Sequence, residues 1–318
     1  MSLDLTKVAA QVEGMVGKLK AGASERQKRL DNAVNILHSQ SRNWEQLKKK
    51  ILSSKTTWLV AGLVEGLDKH YKATPLPDEF TVIAADGSHI EVDRHRSVRC
   101  FLINIGSVQL RYGPRADAIL DASPRLYAED NELVIASPEN KGRDQLIEGG
   151  LLGIKRGVEE CRQLAALSTG LPPGSSALAL LDGSLILWGL EAYPDFVTEA
   201  LLDNGFLNYL NAMKEAGKDK NMSLVSYISS PRSTDVVNAL RVAICPYEPA
   251  DCDRNCSAKE KRDCESVAGV QDRELFASVL GEGERSTLFI SPSSIVREHY
   301  GEHRVYFFYL KMEEEIAR

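Results

Sequence analysis

Ala177-Leu178-Ala179-Leu180-Leu181-Asp182-Gly183-Ser184 is the stretch on which the fold turns. Five consecutive apolar residues read as a buried strand, and the run stops on a carboxylate, a glycine and a hydroxyl. The same ending occurs earlier, where Phe80-Thr81-Val82-Ile83-Ala84-Ala85 leads into Asp86-Gly87-Ser88. A carboxylate at a strand end is held by buried backbone yet opens into a crevice at the sheet edge, where α/β folds put their sites. Glycine next permits a tight turn or close approach of a phosphate, and serine supplies a hydroxyl that caps a helix or orients the carboxylate. Asp-Gly-Ser is also ordinary turn chemistry, so a turn and a site remain open for both copies.

Outward from these strands the chain alternates. Val98 to Leu110 is a second apolar run, so two or three neighbouring strands are expected around the first motif. A helix is expected over Gln145 to Ser168, ended by Leu171-Pro172-Pro173-Gly174, another over Pro194 to Glu215, and a strand over Ser223 to Ile228. The reading is an α/β domain over 76–318 with a mixed sheet flanked by helices. Before it, apolar residues recur at helical spacing: Val8, Val12, Met15 and Leu19, then Leu30, Val34 and Leu37, then Trp44, Leu47 and Ile51, then Leu59, Leu63 and Leu67. Ala21-Gly22-Ala23-Ser24 reads as a break, and Thr74-Pro75-Leu76-Pro77 closes a helical arm or hairpin over 1–75.

The chain has 318 residues, 43% of them apolar, and a net charge of −6, which argues against a histone-like basic coat but not against a local basic groove. No apolar run reaches the ~18–20 residues that cross a bilayer, and the opening lacks a signal-peptide layout, so a cytoplasmic protein is expected. Four of the six cysteines, Cys245, Cys252, Cys256 and Cys264, follow the spacing C-x6-C-x3-C-x7-C inside a polar loop. That spacing fits neither paired zinc knuckles nor the ferredoxin run, and it predicts a structural zinc or iron–sulfur centre of unspecified ion. Cys100 and Cys161 read as core residues.

If the two motif-bearing strands are neighbours, Asp86 and Asp182 can converge on Mg²⁺ or Mn²⁺, which favour carboxylate oxygens and keep waters for substrate phosphates. The helix before Asp182 offers Glu159 and Glu160, of which only one can face the sheet; the apolar stripe Ile154, Val158, Cys161 and Ala165 does not decide which. Phosphate contacts could come from Arg94, Arg96, Arg99, Arg111, Arg115 and Arg232. Ser88 and Ser184 are poor nucleophiles, because neither sits in G-x-S-x-G and no His stands in a recognisable triad relation to them.

Ala85-Asp86-Gly87-Ser88, then Leu180-Leu181-Asp182-Gly183-Ser184-Leu185 after a Glu-bearing helix, and later Arg304-Val305-Tyr306-Phe307-Phe308-Tyr309-Leu310, together resemble the NurA nuclease family over about residues 80–318. The resemblance implies an RNase H-like sheet and Mn²⁺-dependent (or Mg²⁺-dependent) 5′–3′ exonuclease and single-strand endonuclease activity on DNA. It also implies a homodimer working with a HerA-like hexameric translocase in double-strand-break end resection. By motif, Asp86 and Asp182 would bind the metal with Glu159 or Glu160 as the third carboxylate, and Tyr309 would be the site tyrosine with Tyr306 as the alternative; Ser88 and Arg232, on the residues' own chemistry, are the expected substrate contacts. In the family a later stretch supplies a metal-ligating His, whereas this sequence stops at Arg318. The sequence reading therefore expects a truncated copy with an incomplete metal site. Its rival is a catalytically impaired dimeric adaptor that binds DNA and the translocase.

Overall fold

A computed structural model describes residues 4–92, 99–138, 143–257, 262–313 and 315–318. Contacts divide the chain into two units, one of residues 74–228 and 294–305, the other of residues 1–73, 229–293 and 306–318. The linear boundary expected at 75/76 thus becomes a discontinuous one: the N-terminal helices share a unit with two later stretches.

The first unit is built on five strands: β1 (Phe80–Glu91), β2 (Phe101–Tyr112), β3 (Asp117–Tyr127), β4 (Ser176–Asp182) and β5 (Asn221–Tyr227). β1, β2 and β3 form an antiparallel meander. A crossover through helix α1 (Gly150–Gly170) then delivers β4 parallel to β1, and β5 joins parallel to β4. The order β3-β2-β1-β4-β5 makes a mixed sheet flanked by helices, an RNase H-like α/β arrangement. Strand alternation aims Ile83 and Ala85 of β1 and Ile103 and Ile105 of β2 into the core, where Leu151, Leu152, Val158, Cys161 and Leu164 of α1 meet them. Each of the Ile, Leu and Val side chains among these contributes about 1.5–3 kcal/mol by leaving water.

Three expectations for this unit change. The helix begins at Gly150 rather than Gln145, because Gln145–Leu146 pairs as a short strand with Val134–Ile135. The Asp86-Gly87-Ser88 motif is not a strand end: β1 continues to Glu91, held by β2 with Asp86 opposite Gly106 and Ser88 opposite Asn104. The expected helix over 194–215 is present as Asp195–Thr198, Glu199–Phe206 and Leu207–Ala216, but its middle stretch is a π-helix.

In the second unit one helix runs from Leu5 to Ser41, capped by Asp4, whose Oδ1 accepts from the Thr6 and Lys7 N–H groups at 3.1 and 3.3 Å. It passes straight through 21–24. Gly22 costs roughly 1 kcal/mol in a helix, too little to end one whose later residues Ala33 and Leu37 are fully buried. Residues 59–67 are not helical: Gly62–Leu63 pairs with Phe289–Ile290, and Val60, Ala61, Leu63 and Leu67 are buried from an irregular path. Helix α2 (Asp235–Ala243) and the stacked aromatic rings of Phe276, Phe289, Phe307 and Tyr309 complete this core.

Candidate active site

Parallel pairing of β1 with β4 ends on the rung Ala85–Leu181, so Asp86 and Asp182 follow side by side on adjacent strands. There β4 stops while β1 continues, and both aspartates are exposed where the strands part. Asp86 Oδ1 accepts the Gly87 N–H at 2.8 Å. After Asp182 the chain turns sharply: Gly183 adopts φ +98° and donates its N–H to Tyr227 O at 2.9 Å, a conformation that favours glycine. Ser184 Oγ then accepts from Ile186 N at 3.0 Å and Trp188 Nε1 at 3.3 Å, which makes it a turn residue.

Helix α1 separates its two glutamates. Glu159 pairs with Lys155 at 3.5 Å and with Arg162 at 2.7 Å. Glu160 is 4% exposed and faces β1, so close to Gly87 that a Cβ added there would stand 2.6 Å from Glu160 Oε1. Glycine in this copy of the motif thus serves close approach of a carboxylate, not a turn. Arg156, one helical turn earlier, brings Nε to 3.0 Å from Oε1 but out of line, so both atoms are buried without a hydrogen-bond partner. Burial pushes the Glu160 pKa up to about 7; Arg156 opposes the rise, Asp86 adds to it, the Gly87 N–H opposes it and Asp182 adds to it. Two residues beyond Gly87 on the same face of β1, His89 carries a buried Nδ1 that also lacks a partner.

One buried carboxylate whose proton affinity two neighbouring carboxylates help to raise, with orphaned polar atoms beside it, fits a hard divalent cation as a donor set. Among the described residues no three Cys, His, Asp or Glu side chains are already gathered around one ion position, those of Cys245, Cys252, Cys256 and Cys264 included. Sequence reasoning missed Arg156 as a site residue. Its signal was the i, i+4 spacing to Glu160, unreadable until the helix face was known.

Apart from Ser88, which shares a face of β1 with Asp86, the other candidates fall elsewhere. Ser88 is exposed on β1. Arg111 and Arg115 are engaged by Glu79, at 2.6 and 3.6 Å. Arg94 and Arg96 lie outside the described residues. Tyr309 and Arg232 belong to the second unit. Arg232 is exposed there. Tyr309 is fully buried; its hydroxyl donates to Asp272 Oδ2 at 2.7 Å and lies 2.8 Å from Ser233 Oγ, while Asp272 also accepts the Val236 and Val237 N–H groups that open α2. Burial raises the pKa of Asp272 to about 6 and that of Tyr309 well above its ordinary value. Tyr306 is 46% exposed. His299 and His303 are half-buried: Nδ1 of His299 lies 3.3 Å from Asp203 and Nε2 of His303 lies 2.7 Å from Asn211. Cys161 is a core residue, as expected, its thiol pushed up to about 12 by burial. Cys100 is half-buried.

Among the described residues no helix is long and apolar enough to cross a membrane. No curated protein matches the chain. The family model described as the NurA domain matches residues 80–318, a span that contains β1 to β5, both aspartates and Glu160. The chain therefore belongs to the NurA family, a family of nucleases that act in DNA end processing.

Proposed function

We propose that the chain is a divalent-metal-dependent deoxyribonuclease that cuts DNA 5′–3′ from ends and within single strands. In this reading it acts as one of two identical subunits and works with a HerA-type hexameric translocase in double-strand-break resection. Family membership supports the substrate and the partners. The observation that carries the hydrolytic reading is Glu160: a carboxylate held against Gly87, buried, and electrically coupled to Asp86 and Asp182.

Asp86, Asp182 and Glu160 would hold Mn²⁺ or Mg²⁺, with Ser88, on the same face of β1 as Asp86, meeting the polynucleotide. A bound ion supplies an acidified water and neutralises charge that builds on the scissile phosphate. The chain's own part is positional and protonic. β1 and β4 fix two carboxylates at neighbouring rungs, and α1 presses the third against the strand. Glu160 keeps a proton at Oε1 or Oε2 until about pH 7, so cation uptake must expel it and weakens as pH falls below that value.

Calorimetric titration with Mn²⁺ tests the reading. Wild type should bind and Asp86→Ala should bind at least ~10-fold more weakly, a difference of about 1.4 kcal/mol. A wild type that takes up no Mn²⁺ and cuts no DNA would fit the adaptor instead.

A further inference from the structure

We propose that residues 5–22 form a coiled-coil seam on which a second copy of this chain docks, the two helices running antiparallel. This names where two copies meet and so rests on the two-subunit reading given above.

The seam is a heptad repeat on an uncovered stretch of helix. Leu5, Val8, Val12, Met15, Leu19 and Gly22 follow one another at spacings of 3, 4, 3, 4 and 3, the a and d positions of a heptad. A mean spacing of 3.5 keeps them in one stripe that drifts slowly around a straight helix. Every described side chain from Leu5 to Lys28 is exposed, and the five apolar members of the stripe are between 37% and 71% exposed. Further along the same helix the surroundings change. Leu30, Ala33, Val34 and Leu37 join the apolar core, while Arg26 pairs with Glu274 at 2.6 Å and Arg29 donates to Ala268 O at 3.0 Å. The helix thus has an anchored part and, before it, about 36 Å of exposed length.

The exposed part is weak by itself. Gly14, Gly17 and Gly22 lower its helix propensity, and a Cβ on any of them would meet nothing within 4 Å, so no packing inside the chain calls for glycine there. Helices take most of their stability from packing an apolar face. The anchored part already supplies the nucleus, and a partner has only to hold the remaining turns in a geometry that is set in advance.

The stripe selects its own partner, because a heptad repeat packs knobs into holes against a helix with the same repeat. In an antiparallel pair the layers are Leu5 of one copy with Gly22 of the other, Val8 with Leu19, and Val12 with Met15, each occurring twice by symmetry. Large meets small at both ends. A parallel pair would stack Gly22 on Gly22 and leave a void. Charge favours the same direction: residues 4–13 carry Asp4, Lys7 and Glu13, a net −1, whereas residues 14–23 carry Lys18 and Lys20, a net +2. Antiparallel docking sets these opposite segments against each other, and parallel docking sets like against like. The two-fold symmetry closes the assembly at two chains.

Sedimentation of the full chain over a concentration series tests the seam. Wild type should run at twice the chain mass. Val12→Glu and Met15→Glu, each placing a charge in the central layers, should raise the dissociation constant at least ~10-fold, while Glu13→Gln, off the seam, should leave it unchanged. Cysteine cross-linking reads the direction without depending on those variants. Val8→Cys mixed with Leu19→Cys should join two chains above the background of the native cysteines. Neither should do so alone, since the two copies of residue 8 would stand about 16 Å apart. Self-linking of Val8→Cys, or a dimer untouched by Val12→Glu and Met15→Glu, would overturn the seam and leave the two-subunit reading in place. A wild type of single-chain mass at every concentration would overturn both.

Discussion

Replacing Gly87 with alanine puts a methyl group where the Glu160 carboxylate now lies. The new Cβ would stand 2.6 Å from Glu160 Oε1, 2.9 Å from Arg156 Cγ and 3.0 Å from Ile105 Cδ1. The first distance is about 0.8 Å short of ordinary contact, and close-packed interiors do not absorb such an overlap freely. Glu160 has nowhere easy to go, because its side chain is 6% exposed and flanked by Arg156. Overpacking of this kind costs about 1–3 kcal/mol. At roughly 2–4 °C per kcal/mol for a unit of this size, the melting temperature should fall by about 2–12 °C. Displacing a catalytic group by close to 1 Å also costs about 100-fold in rate, so Mn²⁺-dependent cleavage should fall by that factor. Scanning calorimetry and a DNA cleavage assay read the two effects. The comparison is Gly153→Ala on helix α1, whose Cβ would meet nothing within 4 Å; it should stabilise by roughly 0.5–1 kcal/mol and leave cleavage intact. A Gly87→Ala protein with wild-type melting and full cleavage would refute the placement of Glu160 against β1.

Glu160 also sets a pH dependence, measurable by denaturant unfolding with chelator present. The unfolded chain binds this proton below its ordinary value of 4.5, the folded chain below about 7. Between those values only the folded state gains from the proton, and above them it does not, so stability falls as pH rises through the window. At about 1.4 kcal/mol per pH unit, wild type should lose about 3 kcal/mol relative to Glu160→Gln between pH 4.5 and 7. Parallel pH profiles would remove the burial argument. Tyr309→Phe takes away the hydroxyl that donates to fully buried Asp272 and should cost about 1–3 kcal/mol in unfolding free energy. An unchanged midpoint would show that Asp272 finds another donor.

The sheet was legible because its strands carry their own signal. Phe80–Ala85 and Ala177–Leu181 are short, largely apolar runs, and the paired motifs left the adjacency of their strands as a condition that the register then met. β3 was harder to see, since all but its last residue are exposed and Pro124 sits within it, as suits an edge strand. At the site, residue types were readable but directions were not. Asp86 and Asp182 were evident from their strands, whereas Glu159 and Glu160 differ only by 100° around a helix whose apolar stripe is broad. Gly87 was open to a tight turn or to close approach and serves close approach, a distinction that exists only once α1 is packed on β1. The N-terminal region misled for another reason. Helical spacing at 59–67 reflects burial, and an irregular segment can bury the same residues when Gly62–Leu63 finds a strand partner more than 200 residues away.

The most direct measurement is the rate at which matched amounts of wild type, Asp86→Asn and Asp182→Asn cut end-labelled DNA in Mn²⁺. Each substitution removes one carboxylate charge from an exposed strand position and changes little in shape. Both variants should melt within about 2 °C of wild type, since exposed positions away from packing contribute little to stability. Their cleavage should fall at least ~100-fold, the loss of about 2.7 kcal/mol of transition-state stabilisation, and wild-type cleavage should vanish with chelator. Undiminished cutting by either variant, or wild-type cutting that persists without divalent metal, would contradict hydrolysis at the β1–β4 carboxylates.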